Sequence, residues 1–258
     1  MYNFEFVKPS TVAEAVAALA SEDAQALGGG QTLIPTMKQR LASPAKLVSL
    51  TGIEEMKEID SDGKVLTIGG GVTHAEVAAG GYGAISELAG NIGDPAVRNR
   101  GTIGGSLANN DPSADYPAAV LASNATIVTN NRTIAADDYF EGMFSTALMD
   151  GEIIISVQFP VPEAANYQKF EQPASRFALV GVFVAKYPDG VRVAVTGASE
   201  GGVFRWTEAE EALSASFGPD ALDGLSLDAE GMIEDLHGSP AYRAHLVKVL
   251  TARAVVAA

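Results

Sequence analysis

Along "STVAEAVAALA" the apolar residues Val12, Ala15, Val16 and Leu19 fall at i, i+3, i+4 and i+7, the spacing that gathers one stripe on a helix face. Thr11 and Glu14 open it at the spacing of a capping box, so a helix starts there. A short apolar strand around Tyr2 to Phe6 precedes it. After it, "AQALGGGQTLIPTMKQRL" reads as a small-residue strand, a glycine turn and a helix from Pro35. "KLVSL" and "KVLTIGGGV" are short strands bounded by turn residues, and "THAEVAAGG" starts a helix with Thr73 and Glu76 again at capping-box spacing.

Further on, "AISELAGNI" has helical periodicity, "TIGGSLANNDPSAD" reads as a glycine turn followed by a small-residue helix, and "ATIVTNNRTI" as a hairpin across Asn130-Asn131. "GEIIISVQFPVP" is a strand closed by prolines. "YQKFEQ", "FALVGVFVAKY" and "VRVAVTGAS" follow as three antiparallel strands, the last two joined across Pro188-Asp189-Gly190. "WTEAEEAL" and "PAYRAHLVKVLTARAVV" end the chain as helices. The sum is α+β in three modules, 1–53, 54–162 and 163–258.

Composition narrows what such a chain can do. A formal charge of −15 repels phosphate backbones and anionic lipid, and no basic run offsets it, so neither nucleic acid nor a membrane surface is expected as a partner. With no cysteine, the chain has no disulfide, no thiolate metal site and no iron–sulfur ligand of its own. Glu5 interrupts the N-terminus where a signal peptide needs its apolar centre, so a cytoplasmic location is expected. The only histidines are His74, His237 and His245, without ligand spacing, and read as single surface residues; no metal site is expected. Among the acids, Asp137 and Asp138 in a hairpin-to-helix connection read as capping or solvated.

The candidate chemistry lies in two glycine-rich segments, "GGGQT" at 28–32 and "TIGGS" at 102–106, each read as a turn leaving a strand. Without Cβ atoms, such turns let backbone N–H groups approach an anion closely; taken singly, either is equally explained by tight-turn geometry. Leu33 stands where a Rossmann fingerprint needs its third glycine, and no P-loop pattern occurs. A third run, Gly69 to Gly71, between a strand and a capped helix, is explained by geometry. There is no G-x-S-x-G elbow.

Together, "ALGGGQTLIPTMKQRL" and "RNRGTIGGSLANNDPSADYPAAVLA" resemble the paired FAD-binding signatures of the medium subunit of molybdenum hydroxylases, the family of carbon monoxide dehydrogenase and of the central region of xanthine dehydrogenase. The resemblance continues through "GEIIISVQFP", "YQKFEQPASRFALVGVFVA" and the terminal helix. It implies a vanillyl-alcohol-oxidase (PCMH)-type fold in which two N-terminal FAD-binding subdomains hold the flavin and a C-terminal domain, an antiparallel sheet with helices, closes over it. By the same resemblance the first loop supplies Leu27, Gly28, Gly29, Gly30, Gln31, Thr32 and Leu33. The second supplies Thr102, Gly104, Gly105, Ser106, Asn109 and Asp115, glycine backbone wrapping the pyrophosphate and Asp115 accepting from ribose or the flavin side chain. Ile154 would pack on the flavin and Lys169 reach its polar edge; read as residues alone, they are strand core and a strand-surface lysine.

Asn109-Asn110 departs from the small residue or histidine of many relatives. Neither loop carries His or Cys, so the FAD is expected to be noncovalent. The resemblance implies an electron-transfer subunit: a large molybdopterin partner oxidises substrate, a small partner with [2Fe-2S] clusters relays electrons, and FAD passes them to an external acceptor. Assembly as a dimer of heterotrimers goes with it. Two other readings stand beside this one: a stand-alone FAD-dependent oxidase or reductase, for which no acid–base pair is apparent, and a noncatalytic assembly subunit.

Overall fold

The computed structural model describes all 258 residues. The chain begins with β1 (Glu5–Val7), α1 (Val12–Leu19), β2 (Ala24–Leu27), α2 (Leu33–Lys38) and β3 (Lys46–Ser49). These strands form a parallel sheet in the order β1-β3-β2, and since parallel neighbours cannot be joined by hairpins, α1 and α2 make the crossovers. The predicted stripe of α1 is its inner face: Ala15 and Leu19 are buried beside Val48, Ile53 and Met56, with Val12 and Val16 half-buried around them. Thr11 Oγ1 accepts from Glu14 N–H at 3.2 Å, but the Glu14 carboxylate accepts from the N–H and hydroxyl of Ser10 rather than from Thr11, so only half the expected box forms. The first strand lies later than Tyr2 to Phe6. α2 starts at Leu33 rather than Pro35, which leaves Pro35 in a first turn where a missing N–H costs nothing.

A second, antiparallel sheet has the order β4-β5-β10-β6-β7. Its strands are β4 (Ile59–Ser61), β5 (Val65–Gly69), β6 (Thr126–Thr129) and β7 (Thr133–Ala135). After the small hairpin β8 (Phe140–Gly142) and β9 (Ser145–Thr146), β10 (Ile154–Pro160) returns through the sheet centre. Between β5 and β6 run α3 (His74–Ala79), α4 (Ala84–Gly90), α5 (Pro95–Arg98), α6 (Ile103–Asn109) and α7 (Tyr116–Ala122). At α3 the capping box is complete, Thr73 and Glu76 each accepting from the other's backbone. The β6–β7 hairpin turns across Asn130-Asn131 as its sequence requires.

The third sheet is an antiparallel meander of β11 (Ala164–Glu171), β12 (Ala178–Tyr187), β13 (Gly190–Thr196) and β14 (Phe204–Arg205), followed by α8 (Thr207–Ala215) and α9 (Pro240–Ala257). Successive residues of β12 enter different cores: Val180, Val182 and Val184 pack with α8 and α9, whereas Phe183 and Ala185 face the core that holds α7. A strand covered on both faces needs no polar alternation, which is why "ALVGVFVA" is continuously apolar. Every residue of α7 is buried, because it lies between the second sheet and β12 and β13.

Candidate cofactor site

The first glycine segment joins β2 to α2. Gly30 adopts φ 73°, a left-handed conformation that costs glycine little. From Gly28 through Gly29, Gly30, Gln31 and Thr32 to Leu33, no backbone N–H finds an acceptor in the chain. Exposed donors such as those of Gln31 and Thr32 can be met by solvent, and N–H groups at a helix start have no intrahelical partner, so these six are free to donate to a ligand. The Gln31 amide donates to Gly29 O at 3.2 Å and steadies the turn, while Leu27 ends β2 beside Ser49.

The second segment is a helix start rather than the expected turn leaving a strand. Thr102 is the N-cap of α6, its Oγ1 accepting from Gly105 N–H at 3.1 Å, and both glycines lie in the first helical turn. They do different things. Gly104 N–H donates to Gly70 O at 3.0 Å, and a Cβ on Gly104 would sit 2.6 Å from that oxygen, so Gly104 serves close backbone packing. Gly105 is exposed, and a Cβ there meets only Thr102 Oγ1, at 3.0 Å. Gly70 is itself packed against Ile154, whose carbonyl oxygen lies 2.1 Å from its ideal Cβ position.

The two segments touch. A Cβ on Gly29 would fall 1.8 Å from Arg100 O, and one on Gly28 would meet the same Thr102 Oγ1, at 3.0 Å, that flanks Gly105. Thr102 thus stands between the two bare stretches of backbone. The hydroxyls of Thr32 and Ser106 and the amide of Asn109 make no hydrogen bond within the chain, so they remain free for a ligand. Free donors, the first three on glycine backbone, and neutral hydroxyls fit a diphosphate such as that of FAD. Asn110, in a left-handed conformation, instead clips the β8–β9 hairpin, donating to Gly142 O and Ser145 O at 2.7 and 2.8 Å.

Asp115 and Lys169 form a second cluster. Lys169 Nζ lies 2.9 Å from Asp115 Oδ1 and donates to Asn91 O at 2.9 Å, and the Tyr167 hydroxyl donates to the same Asp115 oxygen at 2.7 Å. Burial pushes the Asp115 carboxyl above its usual range, only partly countered by the Lys169 ammonium and the Tyr167 hydrogen bond. Burial, then the neighbouring carboxylate, drives Tyr167 far upward, which keeps the phenol a donor. A polar cleft of about 550 Å³ opens beside the cluster, bounded by Glu87, Asn91, Gln168, Lys169 and Glu171, and no residue of either glycine segment lines it. The link from the glycines to Asp115 is the chain itself, pinned where Thr196 Oγ1 donates to Ala114 O at 2.7 Å and Gly197 N–H to Pro112 O at 2.8 Å.

Tyr167 escapes the sequence reading, although it stands two residues before Lys169 and so on the same strand face. Ile154 is 3% exposed and packs in the core with Val157. His74 overturns its reading as a surface histidine: it is buried against Tyr116, ring centroids 5.4 Å apart, because α3 turns it beneath Gly101. Burial, aided by Arg98, lowers its pKa to about 4. Asp137 is also more than a cap, since it pairs with both Arg192 and Arg205 of the third sheet.

Residues 2–162 match the family described as the FAD binding domain in molybdopterin dehydrogenase. The chain is 34% identical to the nicotine 6-hydroxylase medium subunit of Paenarthrobacter nicotinovorans over 98% of its length and 96% of that protein's. It is 33% identical to the carbon monoxide dehydrogenase medium chain of Afipia carboxidovorans, again over 98% and 96%. Its fold superposes on quinoline 2-oxidoreductase from Pseudomonas putida 86 with a TM-score of 0.87 at 27% identity, covering 100% of this chain and 97% of that one. Reconstituted CO dehydrogenase from Oligotropha carboxidovorans gives 0.87 at 30% identity, over 99% and 97%.

Proposed function

Because the chain belongs to the family of FAD-binding domains of molybdopterin dehydrogenases, we propose that it is the FAD-carrying, electron-transferring medium subunit of such an oxidoreductase. The observation that carries this reading is the run of unpartnered N–H groups from Gly28 to Leu33, backed by Thr102 and Gly105. In it, Leu27 and the 28–33 loop hold the pyrophosphate, and Thr102, Ser106 and Asn109 hydrogen-bond the phosphate and ribitol. Gly104 lets α6 pack close enough to present them. Lys169 reaches the polar edge of the ring, and Ile154 supports the β10 backbone against which the glycines pack. When bound, FAD supplies a centre that accepts electrons singly and releases them in pairs.

The division of labour follows from composition and kinship together. A chain without cysteine holds no iron–sulfur cluster, so a small [2Fe-2S] subunit delivers the electrons and a large molybdopterin subunit oxidises the substrate. The complex is a dimer of heterotrimers in the cytoplasm; no helix of the chain is long and apolar enough to cross a membrane. The proposed division is into two FAD-binding subdomains, 1–53 and 54–162, and a C-terminal domain, 163–258, that closes over the flavin; that each stretch holds one of the three larger sheets supports it.

Acid precipitation of the FAD-loaded chain tests the binding: the yellow chromophore passes into the supernatant, and colour held in the pellet, or a chain that takes up no FAD, refutes it. Mixing the isolated chain with the substrate of its complex tests the role. No turnover is expected, and oxidation by this chain alone would instead establish a stand-alone oxidase.

A further inference from the structure

The buried pair of Lys169 and Asp115 carries an inference that rests on the flavin reading above. A lysine ammonium has three N–H groups. One is directed to Asp115 Oδ1 and one to Asn91 O, each at 2.9 Å, which leaves the third for an acceptor on a bound ring. Asp115 is differently placed: both side chains are 4% exposed, and its Oδ1 already receives the ammonium and the Tyr167 hydroxyl. We propose that Asp115, positioned by Tyr167, is the counter-ion that sets how much of the Lys169 charge a bound flavin experiences, and so tunes its preference for reduced over oxidised FAD.

Signs follow from charge alone. Taking up two electrons and one proton leaves a flavin with one negative charge in neutral solution. The Lys169 ammonium favours that form, and the Asp115 carboxylate opposes it. Neither charge is dispersed by much water here, and pairs in partly desolvated sites interact several-fold more strongly than in bulk. Tyr167 withdraws part of the carboxylate's negative charge through its hydrogen bond, so it strengthens what Lys169 shows to the ring. On this view Asp115 acts on the ring through Lys169, and Tyr167 is a positioning residue that acts through Asp115.

The test uses the full chain loaded with FAD, reduced stepwise against a reference dye, with affinity for oxidised FAD followed by flavin fluorescence. Asp115→Asn moves the affinity ratio about tenfold toward reduced FAD, which is roughly +30 mV for a two-electron couple. Tyr167→Phe moves it about twofold the other way. Lys169→Met also moves it toward oxidised FAD, and supplies the control. If Lys169→Met shifts the ratio while Asp115→Asn leaves it unchanged or moves it toward oxidised FAD, the counter-ion role is overturned and the flavin site stands. If Lys169→Met has no effect, the flavin ring is not at Lys169 and the counter-ion proposal falls, while FAD binding at the glycine segments stands; a chain that takes up no FAD is what overturns that reading. Should Asp115→Asn not fold, because it leaves a buried cation unpaired, Tyr167→Phe decides: a shift toward reduced FAD or none overturns the proposal.

Discussion

Adding one methyl group at Gly29 and one at Gly105 separates packing from binding in the candidate site. At Gly29 the new Cβ would lie 1.8 Å from Arg100 O and 2.7 Å from Gly101 Cα, both backbone atoms with no rotamer to change. Clearing the oxygen to an ordinary contact means driving the first loop and the Arg100–Thr102 segment apart by more than an ångström. Overpacked sites that can adjust through side chains lose about 1–3 kcal/mol, so a backbone-on-backbone clash belongs at the upper end, about 3 kcal/mol. In a chain of this size each kcal/mol moves the melting temperature by roughly 2–4 °C, so Gly29→Ala should melt about 6–12 °C lower. At Gly105 the nearest atom to a new Cβ is the single oxygen Thr102 Oγ1, at 3.0 Å, and the residue is exposed on a helix. There alanine's helix preference, up to about 1 kcal/mol, offsets the crowding, and stability changes by less than about 1 kcal/mol. FAD affinity falls by at least about tenfold, because the methyl occupies the ligand's side of α6. Circular dichroism melts of the flavin-free chains and fluorescence titration with FAD read the two effects. A Gly29→Ala melt within about 2 °C of the parent, or a Gly105→Ala protein with parental FAD affinity, would show that the bare surfaces have been assigned the wrong way round.

His74→Leu tests the buried imidazole. Its folded pKa of about 4 lies below the unfolded value of 6.5, so the unfolded chain takes up the proton first and stability is lost as pH falls from 6.5 to 4, by about 3 kcal/mol. Denaturant titrations across that window should show a flatter pH dependence in the leucine variant, and an identical slope would refute a neutral buried His74. Arg243 is 1% exposed and donates to Leu179 O and Gly197 O at 2.7 and 2.8 Å, besides pairing with Asp235. Nη1 serves both carbonyls while Nη2 pairs with Asp235, and a single lysine ammonium cannot hold all three at once, so Arg243→Lys should cost about 2–3 kcal/mol, and an unchanged urea midpoint would contradict that. Thr102→Val removes the acceptor of Gly105 N–H, costing about 1 kcal/mol by the usual value of an N-cap, and weakens FAD binding; unaltered urea midpoint and FAD titration would exclude Thr102 from both roles.

What short-range chemistry governs was legible in the amino-acid order. The stripe of Val12, Ala15, Val16 and Leu19, the box of Thr73 and Glu76 and the turn at Asn130-Asn131 each depend on residues within one or two turns of each other, and each forms. The kinship carried by "GGGQT" and "TIGGS" was legible as well, since backbone that comes as close as Gly29 to Arg100 and Gly104 to Gly70 demands glycine at those positions. The Thr11 box failed because Ser10 competes one residue away for the same carboxylate.

Tertiary structure decided the rest. Gly104 and Gly105 are adjacent and chemically identical, yet one is closed by Gly70 O and the other faces outward, a difference set by where β5 ends against α6. His74 has a polar side chain that sequence alone places outside; the packing of α3 against Tyr116 takes it inside. Asp115 and Tyr167 stand 52 positions apart, and only the docking of β11 beside the start of α7 makes them and Lys169 one cluster. Periodicity reports which face of an element is buried; it carries no information on which other element covers that face, because that is settled by how sheets and helices from distant parts of the chain fill the same volume.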